Sequence, residues 1–403
     1  MAAAEQHWFD LYDVGLKTDP YPIYERLLRE PPFLTVIDGV EAAVFSRYRH
    51  VEEIYADAAL FSSVKPPMAV QKVDYFSGNQ NVAFSDPPLH TRLRRALNPA
   101  FMPASVQRLA PRIDAAAADI LAGLQGRADI ELMAEIARPL SQRVMLTELL
   151  GIPAGDHHIF LDLAKALFTP GGRPPASPAA IEFERCWAAA LAYSQAMVAA
   201  EKAHPSNEVL GSIVARSGPN GSLADDEVVS LLTTLMTGGF STIASLIGNA
   251  FVALVGRPDQ LALLRTEPEL LPNAIEEVAR HRAPGLFNYR FPTRDTEIGG
   301  VTLKKAMPVY MLQGATSFDP EMFEDPFRFD IRRQPKRLLV FGHGIHHCIG
   351  APVARLTART LLRQALDLYP DIALAAPAGE LAYSEATQEL SPTTVPLRVR
   401  ARS

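Results

Sequence analysis

The sequence is poor in cysteine, with only Cys186 and Cys348 among 403 residues. This excludes the dense disulfide framework of small secreted domains and the four-cysteine sets that bind iron–sulfur clusters. A chain of this size with two cysteines is typical of a reduced, cytoplasmic protein, and we expect it to act there. By default, each cysteine would be a small buried apolar side chain.

The sequence also has no excess of basic residues, and its first residues form no apolar segment. Its formal net charge is −6, which argues against a nucleic acid partner. The first residues, MAAAEQHWFDLYDV, contain acidic side chains and no long apolar run. They fit neither a signal peptide nor a membrane anchor, so we expect no membrane association.

Apolar residues make up 48% of the sequence, and they follow β patterns in some segments and helical patterns in others. The stretch FLTVIDGVEAAVF (33–45) predicts a β-hairpin that turns at its Asp-Gly pair, because this pair accepts positive φ angles. Residues from about 90 to 280 are mostly helical in pattern, and β patterns return at 296–313 and 393–400. Since no linker or repeat divides the chain, we expect one large α+β unit.

The longest helical pattern extends from about Asp225 to Val255. Acidic residues at its start favour a helix N-terminus. Its body, VVSLLTTLMTGGFSTIASLIGNAFVALV, is apolar on nearly every face, so this helix is expected to be buried in the middle of the protein. A second helix is predicted at about 271–282.

The motif FGHGIHHCIG (341–350) combines one cysteine with three histidines and three glycines. Its histidines could join Cys348 in a zinc site, although zinc ligands usually come as spaced pairs from two segments. The glycines indicate positive φ angles, or backbone that lies against something flat and close. Cys348 also precedes an amphipathic helical pattern, whose N-terminus would stabilise a thiolate. A thiolate in such a loop suits axial ligation of haem iron. Haem, zinc and a simple buried thiol are therefore the alternatives.

The same motif resembles the haem-binding loop of the cytochrome P450 superfamily. The positions that define the family pattern are here Phe341, Gly344, His346, Cys348 and Gly350. The resemblance implies that Cys348 ligates the iron of haem b, and that Gly342 also belongs to the cofactor loop.

This resemblance extends to the architecture of the chain. It implies a mainly α fold with small β-sheets (α+β), in which haem lies between the long central helix and the helix after Cys348. It also implies a single domain over residues 1–403, with a β-rich part at about 30–65 and 290–320.

Two further segments resemble parts of the family. The Glu-x-x-Arg of EEVAR and the Pro-x-Arg-Phe of DPFRF imply a structural triad behind the haem loop, formed by Glu277, Arg280 and Arg328. On its own, the first pair would be an ordinary ion pair on a solvated helix face.

Four side chains are implied as partners of the haem propionates. DPPLHTRLRR (86–95) resembles the family segment that leads into a helix at the haem edge, and YRFPTRDTEIGG resembles its arginine-bearing strand. Arginine suits a carboxylate because its forked donors match two oxygens. The four residues are His90, Arg94, Arg290 and His346.

The stretch LMTGGFSTI of the central helix resembles the oxygen-binding motif of the family. Two adjacent glycines in a helix interior cost about 1 kcal/mol each relative to alanine. They indicate either close packing with another helix or, by the resemblance, a local opening for dioxygen and substrate. Thr242 takes the position of the catalytic threonine, whereas Ser241 stands where the family has an acid. Because a serine does not titrate near neutral pH, proton delivery departs from the family pattern.

The resemblance also indicates which residues contact the substrate. The implied pocket residues are Leu235, Gly238, Gly239, Leu286 and Phe287, and they are mostly apolar, as small-molecule pockets are. Any of the large side chains would fit a plain core equally well. The pocket loops are expected at 62–84, 165–182, 283–289 and 388–394, and carry Met68, Val70, Tyr75, Phe76, Phe168 and Pro392. Their charged residues Lys65, Lys72 and Arg173 could hold a substrate carboxylate, but we expect them to be ordinary solvated loop charges.

The expected function is that of a haem-thiolate monooxygenase, which inserts one oxygen atom from dioxygen into a C–H bond of a small, mostly apolar organic substrate. Since the chain has no cysteine set for a cluster, we expect a separate ferredoxin and ferredoxin reductase to supply NAD(P)H electrons. The arginines that we expect to attract the acidic partner are Arg92, Arg95, Arg355 and Arg359.

The serine at the acid position keeps two other enzymatic alternatives open, which are oxidation driven by hydrogen peroxide and reduction of nitric oxide. A non-catalytic haem sensor is a further alternative.

Overall fold

The computed structural model describes residues 8–66, 81–167, 176–205, 209–216, 223–334, 336–384 and 388–401. Helices predominate in this part of the chain. They are α1 (Gly15–Thr18), α2 (Tyr21–Arg29), α3 (Tyr48–Ala56), α4 (Leu89–Leu97), α5 (Pro103–Ala122), α6 (Arg138–Gln142), α7 (His157–Leu167), α8 (Pro178–Ala203), α9 (Val209–Val214), α10 (Asp225–Val255), α11 (Pro258–Thr266), α12 (Leu271–His281), α13 (Gln313–Thr316) and α14 (Ala351–Leu368).

The strands are short and form three small sheets. They are β1 (Phe33–Ile37), β2 (Val40–Phe45), β3 (Phe61–Ser62), β4 (Asp129–Glu131), β5 (Asn288–Pro292), β6 (Thr296–Ile298), β7 (Val301–Leu303), β8 (Val309–Met311), β9 (Asp371–Leu374) and β10 (Pro396–Arg400). One sheet has the order β1-β2-β8-β5-β3, a second has β4-β10-β9, and β6 pairs with β7.

The predicted hairpin is confirmed as β1 and β2, which pair antiparallel from Phe33 opposite Val44 to Ile37 opposite Val40. Asp38 and Gly39 form its turn with φ angles of 52° and 75°. An aspartate followed by glycine accepts such angles with little strain, which is why the sequence located the turn correctly.

The helix predicted between Asp225 and Val255 is confirmed as α10, with the same bounds. This helix is long and apolar enough to cross a membrane, but 78% of its most apolar 18-residue window is buried inside the protein. That burial fits a core helix, as its all-round apolar pattern predicts. The helix predicted at about 271–282 is confirmed as α12.

The chain divides into two compact units. Unit 1 comprises Met1–Val64, Ala117–Ala137 and Thr242–Ser403, and unit 2 comprises Lys65–Ala116 and Arg138–Ser241. All of the strands given above fall in unit 1, and the described part of unit 2 is helical apart from turns and an isolated bridge. The expectation of a single domain remains a prediction.

A buried cluster in unit 1 packs the N-terminal helices against the first sheet. It includes Tyr24 and Leu27 of α2, Phe33 and Val44 of the hairpin, and Phe318. The cluster holds the five-stranded sheet in place, and strand β5 of that sheet carries one of the predicted propionate ligands.

Candidate functional site

The motif of residues 341–350, which we call the cysteine loop, is a backbone hairpin that ends just before α14. The backbone N–H of Cys348 donates to the carbonyl of Phe341 at 2.8 Å, which closes the loop. The side chain of Cys348 is exposed. Helix α14 begins three residues later with a proline in its first turn, so its N-terminal N–H groups follow the thiol directly.

Two glycines of the cysteine loop adopt left-handed conformations, Gly342 at φ 73° and Gly344 at φ 66°. At Gly344 a Cβ atom would meet the backbone oxygen of Tyr55 at 2.6 Å, so no side chain fits there. Gly350 caps α14 at a negative φ of −79°. Gly342 and Gly344 are therefore required for the shape of the loop, and Gly344 also for its close approach to the end of α3.

The zinc alternative finds no support in the part of the chain that the structure describes. No group of three or more His, Cys, Asp or Glu side chains there is placed to hold a metal ion. The histidines of the cysteine loop therefore do not converge with Cys348 as a ligand set. Cys186, in contrast, is a buried thiol whose pKa is raised by burial and by its contact with Glu182, as expected for a side chain that fills the interior.

Arg290 and His346, two of the predicted propionate partners, lie in unit 1 near the end of α3. The guanidinium of Arg290 is buried and stacks over the ring of Tyr55, 5.5 Å from its centroid. Its Nη1 donates to the carbonyl of Tyr289. The Nε2 of His346 lies 2.9 Å from the hydroxyl of Ser63, which orients the ring.

The other two predicted propionate partners, His90 and Arg94, lie on α4 in unit 2. They are one helical turn apart, so they share a face of this helix. His90 is buried, and the Nε of Arg94 donates to the side-chain oxygen of Asn98 at 3.1 Å.

Glu277 and Arg280 form a buried ion pair on α12, with both side chains 2% exposed. The guanidinium binds both carboxylate oxygens, at 2.7 and 2.8 Å. Its remaining N–H groups donate to the carbonyls of Ser317, Pro326 and Arg328. All five donors of Arg280 are therefore used, so the pair fixes the segment that precedes the cysteine loop.

The structure corrects the third member of the triad from Arg328 to Arg333. The Nε of Arg333 lies 3.4 Å from Glu277, and its other nitrogens bind the carbonyls of Glu324, Asp325 and Arg328. The side chain of Arg328 is 64% exposed and lies 3.6 Å from Asp330. Arg328 therefore contributes its carbonyl, and Arg333 contributes the charge. We call Glu277, Arg280 and Arg333 the loop support.

Helix α10 carries one stripe of partly exposed small residues in an otherwise buried body. Gly238 is exposed and Thr234, Ser241 and Thr242 are partly exposed, whereas most residues around them are buried. Their spacings of three and four place them on one face of the helix. This exposed stripe contains both predicted catalytic residues, Ser241 and Thr242.

The two adjacent glycines of α10 have different surroundings. A Cβ atom on Gly239 would lie 2.3 Å from the terminal methyl of Met145, so this glycine makes room for close packing. A Cβ atom on Gly238 would meet nothing within 4 Å. Of the two explanations weighed from the sequence, close packing applies to Gly239, and an opening for dioxygen and substrate at Gly238 remains a prediction.

The predicted pocket residues of unit 1 are both buried, and their contact with a substrate remains a prediction. Leu286 and Phe287 are 1% and 5% exposed and belong to the buried cluster beside the N-terminal helices. Phe287 contacts the ring of Tyr310. Both side chains pack against residues of the N-terminal segment in this cluster. Leu235, in unit 2, is also buried, at 7% exposed.

Several other predicted pocket residues lie outside the described residues. These are Met68, Val70, Lys72, Tyr75, Phe76, Phe168 and Arg173.

Two of the four arginines predicted to attract a redox partner are held in ion pairs. Arg92 pairs with Glu227. Arg355 binds both oxygens of Glu276 and stacks over the ring of Phe341, 4.2 Å from its centroid. Because these charges are locally neutralised, Arg95, which is exposed, and Arg359, which is partly exposed, are the better candidates.

The sequence reasoning missed three residues around the cysteine loop, namely Tyr55, Gln313 and Arg333. A signal existed for Gln313, which is a lone amide within the apolar run VYMLQGA and is 4% exposed. A buried amide needs hydrogen-bond partners, so its position predicts a polar contact. No comparable signal identifies Arg333, since an adjacent arginine pair usually lies on the surface.

The comparisons with known proteins agree with this geometry. A model of the family "Cytochrome P450" matches residues 12–147 and 183–369. The chain is 35% identical over 373 residues to the cytochrome P450 monooxygenase PikC of Streptomyces venezuelae, which covers 91% of this chain and 87% of PikC. It is 30% identical over 393 residues to the 6-deoxyerythronolide B hydroxylase of Saccharopolyspora erythraea, with coverage of 93% and 94%.

A solved structure shows the same fold. The myxobacterial cytochrome P450 CYP267B1, in complex with myristic acid, matches with a TM-score of 0.89 at 28% identity, over 97% of this chain and 99% of that chain. The chain therefore belongs to the cytochrome P450 family, has its mainly α fold and is a haem-thiolate monooxygenase.

Proposed function

We propose that the protein binds haem b through the thiolate of Cys348 and inserts one oxygen atom from dioxygen into a C–H bond of a small, mostly apolar substrate. The observation that carries this proposal is the exposed thiol at the end of a loop whose backbone is closed by a hydrogen bond and shaped by two left-handed glycines. When bound, haem supplies the activation of dioxygen, and the thiolate donates electron density to its iron.

The residues around the cysteine loop fit such a cofactor. A thiol that is exposed beside a helix N-terminus is stabilised as a thiolate, which is the form that binds iron. The turn at Gly344 packs directly on the backbone of Tyr55. One side of the loop is therefore held by α3, and the opposite side is the one proposed to face the cofactor. Arg290 and His346 add a buried guanidinium and an oriented imidazole.

Arg290 and His346 are proposed to hold the haem propionates. A guanidinium that is already desolvated binds a carboxylate more strongly than one in water. Ser63 orients the imidazole of His346 through its Nε2. The same role is proposed for His90 and Arg94 on α4.

Thr242 and Ser241 are proposed to handle protons on the exposed stripe of α10. Each hydroxyl can accept one hydrogen bond and donate another, so the pair can pass a proton along the helix face. Neither residue titrates near neutral pH. The proton source must therefore be water or a group beyond the stripe.

The serine at the acid position favours a second candidate function, which is oxidation with hydrogen peroxide. Peroxide brings both electrons and both protons to the site, so a titrating side chain is less important. Nitric oxide reduction is the other alternative that the serine leaves. Rates of product formation with peroxide, with dioxygen plus reductase, and with nitric oxide plus NADH separate the three.

The proposed substrate is apolar with few polar groups. Among the residues of the exposed stripe, Thr234 bears a hydroxyl that donates to the carbonyl of Ser230 and accepts from the amide of Asn81, each at 2.8 Å. This hydroxyl keeps one acceptor position for a substrate O–H. One relative is named for 6-deoxyerythronolide B, and one solved structure holds myristic acid, so both neutral compounds and fatty acids belong in a substrate screen.

The proposed electron donors are a ferredoxin and its reductase, which take electrons from NAD(P)H. Arg95 and Arg359 would attract an acidic ferredoxin through long-range electrostatic steering. Charge reversal at both positions should slow reduction by ferredoxin and leave reduction by dithionite unchanged. Unchanged ferredoxin kinetics would remove these arginines from the docking surface.

The deciding experiment is the spectrum of the reduced, carbon monoxide-bound protein. Thiolate ligation gives a strongly red-shifted Soret band, and Cys348→Ala should abolish it completely. Cys186→Ala is the matched control and should retain the band, because this thiol is buried within α8. Retention of the band in Cys348→Ala, or its absence from haem-replete wild-type protein, would contradict the proposal.

A further inference from the structure

A line of buried hydrogen bonds connects the end of α3, where the ring of Tyr55 lies beneath Arg290, with the start of the cysteine loop. The hydroxyl of Tyr55, at the end of α3, donates to the side-chain oxygen of Gln313 at 2.6 Å. Burial raises the pKa of Tyr55 to about 12, so its proton stays in place at any physiological pH.

The amide of Gln313 continues this line to the loop. Its nitrogen donates to the carbonyl of Gly285 at 3.2 Å and to the carbonyl of Val340 at 3.4 Å. The orientation of the amide is unambiguous, because two carbonyls face its nitrogen and a hydroxyl faces its oxygen. Val340 directly precedes Phe341, whose carbonyl closes the cysteine loop by accepting from Cys348.

Tight packing leaves this line little room to move. A Cβ atom on Gly285 would lie 2.7 Å from the amide nitrogen of Gln313, so glycine is needed there. Tyr55 contacts the loop a second time, because its own carbonyl lies against Gly344. Its ring also lies beneath the guanidinium of Arg290.

We propose that Tyr55 and Gln313 are positioning residues that fix the cysteine loop and Arg290 relative to each other. The proposal rests on the ligation of haem by Cys348 stated above, and it adds two residues that act on the ligand through the loop backbone. Tyr55 makes all three contacts: its carbonyl lies against the loop, its hydroxyl donates to Gln313, and its ring lies beneath Arg290. Displacement of either residue therefore loosens the thiolate and a proposed propionate partner together.

The test compares Tyr55→Phe and Gln313→Met with Tyr369→Phe in the holoprotein. Tyr369 is a matched control because it is a buried tyrosine of the same unit, and its hydroxyl has no hydrogen-bond partner among the described residues. Two quantities are measured below the temperature of global unfolding. One is the rate at which the red-shifted carbon monoxide band is lost, and the other is amide hydrogen exchange in residues 340–350.

In Tyr55→Phe, both rates are expected to rise about fivefold, the factor that corresponds to ~1 kcal/mol for one buried neutral hydrogen bond. Gln313→Met, which strips two carbonyls of their donor, should have an effect at least as large. The control should match the wild type. If Gln313→Met does not fold, the milder Tyr55→Phe decides alone.

Three results would overturn the inference. These are unchanged exchange in both variants, an equal effect of Tyr369→Phe, and a band that disappears only when the helices unfold. Failure of the proposed function is a different result, because wild-type holoprotein would then lack the red-shifted band from the start, while hydrogen exchange in the loop would still report whether the two residues fix it.

Discussion

The loop support and the exposed stripe of α10 use their polar atoms in opposite ways. Around Glu277 and Arg280, the charges are 2% exposed, and every donor of Arg280 has a carbonyl or carboxylate acceptor. On the stripe, small residues such as Gly238 and Thr242 leave space and stay partly exposed. A region with saturated hydrogen bonds has one stable arrangement, whereas a region of small side chains accommodates different partners.

This difference matches the two tasks of a haem-thiolate monooxygenase. The proposed iron ligand, Cys348, would have to stay in one place for every substrate, which suits a support whose hydrogen bonds are saturated. The residues that meet the substrate have to differ among relatives that oxidise different compounds. Variants that weaken the loop support, or that place a larger side chain on the exposed stripe, test this comparison.

The largest effect is expected from Glu277→Gln. This change removes the carboxylate and leaves the charge of Arg280 buried without an anion, which should lower the free energy of unfolding by about 3–5 kcal/mol. Chemical denaturation followed by circular dichroism measures the loss, and the red-shifted band should be lost with it.

Arg328→Gln and Arg333→Gln are the controls for that prediction. Because the side chain of Arg328 is largely exposed, its replacement should change stability by less than about 0.5 kcal/mol. Arg333→Gln should cost more than Arg328→Gln, since it contacts Glu277 and three carbonyls. Equal losses in the two variants would contradict the correction of the triad.

A smaller effect is expected from the protonation of His281, which neighbours the support. Burial, together with Arg280 and Arg257, lowers the pKa of His281 from 6.5 to about 3. Between these values the unfolded chain binds a proton and the folded protein does not. This contribution to stability is therefore complete above about pH 6.5 and decreases as the pH falls toward 3.

The measurement compares wild type with His281→Gln between pH 7 and pH 4.5. The neutral glutamine can keep hydrogen bonds to the Tyr21 hydroxyl and the Phe327 carbonyl, which bind the two ring nitrogens of His281. Below about pH 6, the stability difference should change in favour of the variant by about 1.4 kcal/mol per pH unit. Parallel pH profiles would refute a buried neutral histidine.

The smallest effect, and the sharpest contrast within one helix, is expected from the two glycines of α10. Gly238→Ala should raise stability by up to about 1 kcal/mol, because alanine is a better helix former and its Cβ meets nothing. Gly239→Ala should lower it by about 1 kcal/mol, since displacement of Met145 outweighs the helical gain.

In a substrate titration, the variant with the higher expected stability should show the larger functional defect. Gly238→Ala should weaken the substrate-induced shift of the Soret band, because its methyl group fills the exposed stripe. Gly239→Ala should leave the shift nearly unchanged. Similar responses of the two variants in both assays would show that the glycines share one role.

Local chemistry explains why part of this protein could be predicted from its sequence. The Asp38-Gly39 turn, the bounds of α10 and the loop glycines each depend on properties of neighbouring residues, such as positive φ angles or an unbroken apolar run. The resemblance to the family predicts Leu286 and Phe287 in the substrate pocket, and the structure adds that they pack in a buried cluster with N-terminal residues far away in sequence. Nothing near them in the chain indicates those partners.

The sequence by itself determined the iron ligand candidate, the buried central helix and the family, because each is written in a short motif or a regular pattern. The tertiary structure alone decided that Arg333 rather than Arg328 joins Glu277 and that Tyr55 meets Gln313, 258 residues further along the chain. It also decided that only one of two adjacent glycines faces open space. The physical reason is that a long side chain has many possible partners within its reach, and only the packing of distant segments selects one.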